Sequence, residues 1–424
     1  MKFIHFLFLF LSFGKCCLIA QTTKQELFDN LDKMAGVYYA YPSNEIVDQT
    51  VAPKGYEPFY ISHFGRHGSR YLINDSDYKW ILDLFRDADG QNALTDLGVD
   101  VLARIEKIWI EAQGRGGDLS PLGLHQQRGI AERMYRSYPE VFSDGVEISA
   151  RSTLVVRCVL SMDGFSERLK ELNPRLQITR EASNKYMNYL NFHTREAVDF
   201  RSQKDTWRKE YNKFEKAHMQ GQRLIHSLFC DSTYIQQNVD SGSLMFGLYR
   251  IASVIQNMDT KISFYDLFKE EELFGLWQVK NYSLYVEYAN SALNKGIMME
   301  NAKPVLSNIL SSAKDAIDSK KKGATLRFAH DGNIIPLATL LHLQDCYKSV
   351  SKPSEFYKAW SDFKVAPMAG NIQIIFFRNN NSDDVVVKFL LNEREILVPP
   401  IKSEILPYYH WKDVEYYYKS LLES

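Results

Sequence analysis

Residues 61–72, ISHFGRHGSRYL, gather His63, Arg66, His67 and Arg70 around two glycines with no acidic residue among them. A histidine between two arginines is equipped for phosphoryl chemistry. Imidazole can take a phosphoryl group covalently, splitting ester cleavage into two easier steps, while forked guanidinium donors neutralise the equatorial oxygens. A second run, AHDGN at 329–333, sets His330 beside Asp331. A carboxylic acid next to such a pocket is the group that protonates a departing alkoxide. The cations lower its pKa, and an entering substrate anion pushes it back up. Gly65 and Gly68 are expected to let a small anion approach the backbone, and a helix N-terminus to add free N–H groups. His63 and His67 are four apart, but in a strand and turn they share no helical face. With no CxxC or HExxH spacing in the chain, neither a metal site nor a cofactor is expected.

These residues need elements to deliver them. EPFYISHF, 57–64, is aromatic and β-branched enough for a strand, which should end at Gly65. Residues 95–139 read as helices, one of them opening with Ser120 as N-cap and Pro121 after it. VEISARSTLVVRCVLSMDGF is strand-like from Val146 and turns helical before Phe165, carrying Arg151 and Arg157. From about 165 to 315 the chain is polar-amphipathic with few strands, a helical insertion or cap. There the charged run 204–217 reads as a solvated helix face with its aromatics packed inward. ATLRFA is then a strand and NIIPLATLLHL the helix after it, so His330 and Asp331 lie at a strand-to-helix junction, as His67 does. NIQIIFFRNNNSDDVVVKFLL reads as a β-hairpin. Strands at both ends around a helical middle give an α/β domain, 21–164 and 316–424, interrupted by an α domain, 165–315. Open α/β sheets bind ligands at the carboxyl ends of their strands, where both motifs fall.

Composition narrows the class. The 424 residues are 45% hydrophobic, enough for a large core. Lys plus Arg total 51 against 52 for Asp plus Glu, so no overall field attracts nucleic acid or an anionic membrane. The expected partner is a small phosphorylated substrate. Residues 1–20 have one early Lys, an apolar run from Phe6 to Phe13 and Ala20 before Gln21, the layout of a secretory signal. That run is shorter than the roughly 20 residues of a membrane span. Cys16 and Cys17 lack the pattern of a lipid-modified cysteine, so a released, secreted or periplasmic chain is expected. Removal of the signal leaves Cys158, Cys230 and Cys346, which allow at most one disulfide. Cys158 reads as a small buried hydrophobe.

RHGSR fits the Arg-His-Gly-x-Arg signature of the histidine phosphatases, and AHD is similar to the His-Asp signature of their acid phosphatase and phytase branch. Between them, ARSTLVVRCVLSM resembles the segment with a third phosphate-binding arginine, which matches Arg157 better than Arg151. The resemblance implies a three-layer, phosphoglycerate-mutase-like mixed sheet, mostly parallel, with a helical cap and no metal. It also implies that His67 is the nucleophile, that Arg66, Arg70, Arg157 and His330 bind the phosphoryl oxygens, and that Asp331 is the proton donor. VVVKFLLNEREILVPP resembles the tail of multiple inositol polyphosphate phosphatases, and SPLGLHQQRGIAERM their Thr-Pro-x-Gly helix with Ser120 in place of threonine. Tyr71 follows Arg70 where the commonest pattern has proline, as in that inositol branch. Against it, vertebrate-type members carry His-Ala-Glu where this chain has His330, Asp331 and Gly332. The many disulfides of eukaryotic phytases are absent. The expected activity is hydrolysis of phosphomonoesters through a phosphohistidine, with inositol polyphosphates such as phytate as the substrate class. A general acid phosphatase, a silent module that binds phosphorylated ligands, and transfer to an acceptor other than water are the alternatives. Arg201, Lys204, Arg208 and Lys209 either line a polyanion pocket or belong to the solvated face.

Overall fold

The computed structural model describes residues 23–47, 49–203 and 206–423; the expected signal segment with Cys16 and Cys17, and Lys204, lie outside them. The described strands form an eight-stranded mixed sheet. They are β1 (Tyr56–Arg66), β2 (Glu147–Ser152), β3 (Gln177–Ala182), β4 (Gly323–Ala329), β5 (Asn371–Asn379), β6 (Val385–Leu391), β7 (Arg394–Glu395) and β8 (Tyr408–His410). Their order is β3-β2-β4-β1-β5-β6-β7, with β8 paired to β6. The first four in that order are mutually parallel, and the pairings from β1 to β5 onward are antiparallel. The sheet is mixed, as expected, but not mostly parallel, because the C-terminal hairpin β5–β6 lies directly against β1.

The described helices of ten residues or more are α1 (Ser76–Gly90), α2 (Asp96–Ala112), α3 (Pro121–Ser137), α4 (Val156–Leu172), α5 (Trp207–His218), α6 (Ser241–Ile255), α7 (Glu270–Tyr288), α8 (Lys303–Ser319), α9 (Asp331–Leu340) and α10 (Trp411–Glu423). Alternation along β1 sends Tyr60 and Phe64 to one core and Ile61 to the other. On the second face Ile130, Met134, Met162 and Phe165 of α3 and α4 cover Ile61, Ile148 and Ile375. On the first face α8, α9 and α10 contact the sheet, and the cap packs beyond them. A strand buried on both faces reads as a nearly continuous apolar run, and FYISHF does.

Three boundaries differ from the sequence reading. β1 runs on to Arg66, one residue past Gly65, because Arg66 still pairs with Ala329 of β4. The segment assigned to the helical insertion begins with half of α4 and contains β3, which pairs along its length with β2. At its other end α8 already packs under β1. The helical cap proper thus lies between β3 and α8. Within it α5 buries Trp207 and Phe214 and leaves its charges outside, as its pattern predicts. By contrast α7 is buried on nearly every face, from Leu273 to Val286. A helix enclosed all round loses the amphipathic signature, and α7 is the cap's central post.

Candidate active site

The β1–β4 register builds the site. Arg66 pairs with Ala329, so the residues that follow, His67 and His330, leave the sheet side by side at the carboxyl ends of adjacent parallel strands. The His67 amide donates to the Ala329 carbonyl (3.0 Å), and the two imidazole centres are 5.7 Å apart. The Thr153 amide donates to Phe328 O (3.0 Å), which ends β2 at the same level. Three strand ends converge there, the position the general rule for open sheets assigns to a ligand.

His67 is buried, and its Nδ1 is 2.9 Å from the Gly68 carbonyl oxygen. A carbonyl only accepts, so Nδ1 carries the proton and Nε2 keeps its lone pair. Burial, followed by Arg66, Arg70 and Arg157, holds the imidazole well below its ordinary pKa, so it stays neutral in acid. The Gly68 amide is bound to Ser161 Oγ of α4 (3.1 Å), which itself donates to Arg157 O (2.7 Å).

The arginines are held from behind. Arg66 Nη1 donates to Val37 O (2.5 Å) and Ala366 O (2.8 Å), and Nη2 lies 3.2 Å from Asp331 Oδ2. Arg70 Nη1 donates to Tyr71 O (2.7 Å), and its guanidinium lies 4.9 Å from the Tyr38 ring centre. Arg157 makes one long contact, Nη1 to Gly117 O at 3.4 Å. The Nε atoms of all three are buried without a partner. Donors in that condition suit an incoming anion. Arg151 is engaged elsewhere, with Glu181 (3.3 Å) and over the Tyr186 ring (4.4 Å), so Arg157 is the arginine brought to the site.

His330 Nε2 meets Thr153 Oγ1 at 3.2 Å, and burial, with Arg157 next, lowers its pKa to about 4. Cys158 packs behind it, its Sγ donating to Ala329 O (3.2 Å), with burial pushing the thiol up to about 12. Asp331 is the first residue of α9, with His330 as the N-cap. Burial raises its pKa, but Arg66, Arg70 and His330 outweigh that and hold the carboxyl below its ordinary range. The Gly332 amide donates to its Oδ1 (2.9 Å).

The two glycines do other work than expected. A Cβ at Gly65 would fall 2.6 Å from His63 Cε1, and one at Gly68 would fall 2.2 Å from Gly123 O. Gly65 makes room for the His63 ring, which packs between Phe165 and Phe328 with neither nitrogen partnered. Gly68 seats the N-terminus of α3, whose N-cap Ser120 accepts from the Gly123 amide (3.3 Å). From the same helix Gln127 Nε2 donates to Arg66 O (2.9 Å).

A cavity of about 340 Å³ opens beside Arg70 and Asp331, lined further by Tyr38, Tyr249, Arg250 and Lys280. Arg250 is paired with Asp77 (2.9 Å). Lys280 has no hydrogen bond or ion pair with a described residue. Of the cap cations singled out from sequence, Arg201 lies 5.1 Å from the Tyr288 ring centre, and Tyr288 in turn packs on Gly332. Arg208 is folded onto Trp207 (4.6 Å), and its Nη2 donates to the Arg201 carbonyl (3.3 Å). Lys209 has no contact that ties it there. Sequence reasoning missed Tyr38, Thr153, Gln127 and Lys280. Thr153 and Gln127 fall inside segments whose resemblance was noted, whereas nothing near Tyr38 or Lys280 marks them.

No curated protein matches the sequence. Among solved structures, the chain is similar to the Bifidobacterium longum multiple inositol polyphosphate phosphatase in complex with inositol hexasulfate. The TM-score is 0.74 at 18% identity, covering 90% of this chain and 96% of that one. The same enzyme in complex with phosphate gives 0.75 at 18% identity, with 92% and 98% covered. The phytase from D. castellii gives 0.69 at 15% identity, with 93% and 86% covered. The sequence profile of the histidine phosphatase superfamily (branch 2) matches residues 66–392, from the first site arginine to the end of the C-terminal hairpin. With that match over most of its length and this mixed α/β fold, the chain belongs to branch 2 of the histidine phosphatase superfamily.

Proposed function

We propose that the protein is a phosphomonoesterase that transfers the phosphoryl group of its substrate to His67 Nε2 and then to water. The observation that carries this reading is a buried histidine whose Nδ1 is turned to the Gly68 carbonyl, which leaves Nε2 as the nucleophilic nitrogen, and whose pKa is held down by burial and by the nearby Arg66, Arg70, Arg157 and His330. In the first step Nε2 attacks phosphorus and the ester oxygen leaves with the proton of Asp331. In the second, Asp331 takes a proton from the attacking water and phosphate departs. The arginines bear the charge of the three equatorial oxygens in both. Asp331 is ionised in the resting site, so the bound dianion must raise its pKa before it can serve as acid. Activity is therefore expected to be acid-shifted, while His67, kept neutral in acid, remains a nucleophile there.

Inositol polyphosphates are the proposed substrate class. Lys280, Arg250 and Arg70 line one cavity that opens on Asp331, wide enough for groups beyond the one transferred. The likeness in fold to an inositol polyphosphate phosphatase and a phytase supports the choice. Lys280→Met should raise KM for phytate roughly 10- to 100-fold, the worth of one charge-assisted contact, and leave hydrolysis of an aryl phosphate unchanged. Export of the chain, with removal of the first twenty residues, is part of the same reading and is checked by N-terminal sequencing of protein recovered outside the cytoplasm.

The deciding experiment incubates the purified protein with phytate and, separately, an aryl phosphate at acid and neutral pH with chelator present, and measures released phosphate. Release from both with phytate preferred is the expected result. Aryl phosphate alone would make it a general acid phosphatase, and phosphate binding without release from either would make it a binding module.

A further inference from the structure

Asp362 is a buried carboxylate with no ion-pair partner among the described residues, and the charge of Lys280 acts on it only through space. It has no exposed surface. Three N–H donors do: Val37 N to Oδ2 (3.1 Å), and Trp277 Nε1 (3.0 Å) and Phe363 N (2.8 Å) to Oδ1. Its own amide donates to Asn281 Oδ1 (2.9 Å), so α7 grips it by both Trp277 and Asn281. Burial pushes its pKa up to about 6. An unpaired charge in such a place is costly unless the surrounding dipoles are fixed around it.

What those dipoles do next is specific. Val37 donates its N–H to Asp362 and offers its carbonyl to Arg66 Nη1 (2.5 Å). Ala366 donates its N–H to the Asp362 carbonyl (2.8 Å) and offers its own carbonyl to the same Nη1 (2.8 Å). Both acceptors that aim Arg66 are thus set by one residue, Asp362, through its side chain on one side and its backbone on the other. The arrangement admits little adjustment. Gly36, next to Val37, has φ 59°, and a Cβ there would fall 2.2 Å from Asp362 Oδ2. With Nη1 spent on the two carbonyls, Arg66 Nη2 faces Asp331 at 3.2 Å.

Resting on the phosphatase reading, we infer that Asp362 is a positioning residue for phosphoryl transfer, acting through Val37 and Ala366 to fix the guanidinium of Arg66 against Asp331 and the phosphoryl oxygens. It also ties that guanidinium to α7, the helix that carries Lys280. Displacement of a guanidinium by a fraction of an ångström weakens transition-state contacts more than ground-state ones.

The test is a double-mutant cycle. Asp362→Asn keeps the size but turns an N–H toward an N–H, and is expected to lower kcat at least 10-fold on an aryl phosphate with KM changed less than threefold. In the Arg66→Ala background, followed at high enzyme concentration, the same substitution should cost less than twofold further. Trp277→Phe, which removes a single hydrogen bond to Asp362, should show the same pattern more weakly and stands in if Asp362→Asn does not fold. Losses that multiply independently in the double variant, or a lowered melting temperature with kcat intact, would overturn the inference. Should the wild type release no phosphate from any ester, the phosphatase reading fails on that result alone. The cycle is then read as affinity for inorganic phosphate by calorimetry, with the same non-additivity required of Asp362 and Arg66.

Discussion

At the scale of the residue, the cluster that the two short motifs build together was legible, but its electrostatics were not. His67, Arg66, Arg70, His330 and Asp331 were legible because their types and order suit phosphoryl transfer, and Arg157 because of the segment around it. Tyr38, Lys280 and Asp362 carry no such mark, since each acquires its place from what the fold sets beside it. His67→Ala should reduce turnover by about 10³-fold or more, because no other group here supplies the nucleophile. Asp331→Asn should slow phytate hydrolysis by roughly 10²–10⁴, the usual worth of a positioned general acid. An aryl phosphate, whose leaving group needs little protonation, should be slowed much less. Steady-state rates on the two substrates check both. His63 bears on stability instead. Burial lowers its pKa from 6.5 to about 3, so as pH falls through that window the unfolded chain takes up a proton that the native chain refuses. Stability is full above about pH 6.5 and declines below it by up to about 1.4 kcal/mol per pH unit for such a group. Urea unfolding between pH 7 and 4.5 should show a shallower decline for His63→Leu than for the wild type.

At the scale of the element, local signals located strands and helices well where one face was wet. Ser120 and Pro121 announced α3, and the Asn-rich turn announced the β5–β6 hairpin. They fell short where burial was complete or a strand stood alone. α7 was legible as a helix but read as amphipathic when enclosure buries most of its faces, and β3, an edge strand with polar residues at most positions, offered no apolar run to find. The Gly68–Gly123 contact was likewise invisible, because it joins a loop to the first turn of a helix that no local pattern links to it. Gly68→Ala would push a methyl to within 2.2 Å of the Gly123 carbonyl, so α3 must back away. A loss of about 1–3 kcal/mol is expected from the overpacking, together with reduced turnover, since α3 also holds Arg66 O through Gln127. Denaturant unfolding and activity, measured side by side on that variant, should fall together.

At the scale of the whole molecule, α/β organisation with a helical interruption was legible from strands at both ends of the chain, while the edges of the interruption were not, because β3 and α8 belong by contact to the sheet. The sheet order itself, with a C-terminal hairpin against β1, could not be read from any one segment. Among the described cysteines no disulfide forms; Cys158 and Cys346 are buried and Cys230 is exposed. Of these three, a thiol reagent should therefore label only Cys230 in the native protein and the other two after denaturation, as peptide mapping would show. The pairing of Arg66 with Ala329 reaches further than geometry. The motifs it joins meet across a span of 265 positions, as the Arg66–Asp331 contact shows, and non-local pairings of this kind form more slowly than local contacts. Neither motif has any part of the other's surroundings until β4 slides in beside β1. A ribosome-bound or half-refolded molecule can thus be rich in helix and still wholly inert, and the return of catalysis during refolding becomes a clock for the pairing of β4 with β1.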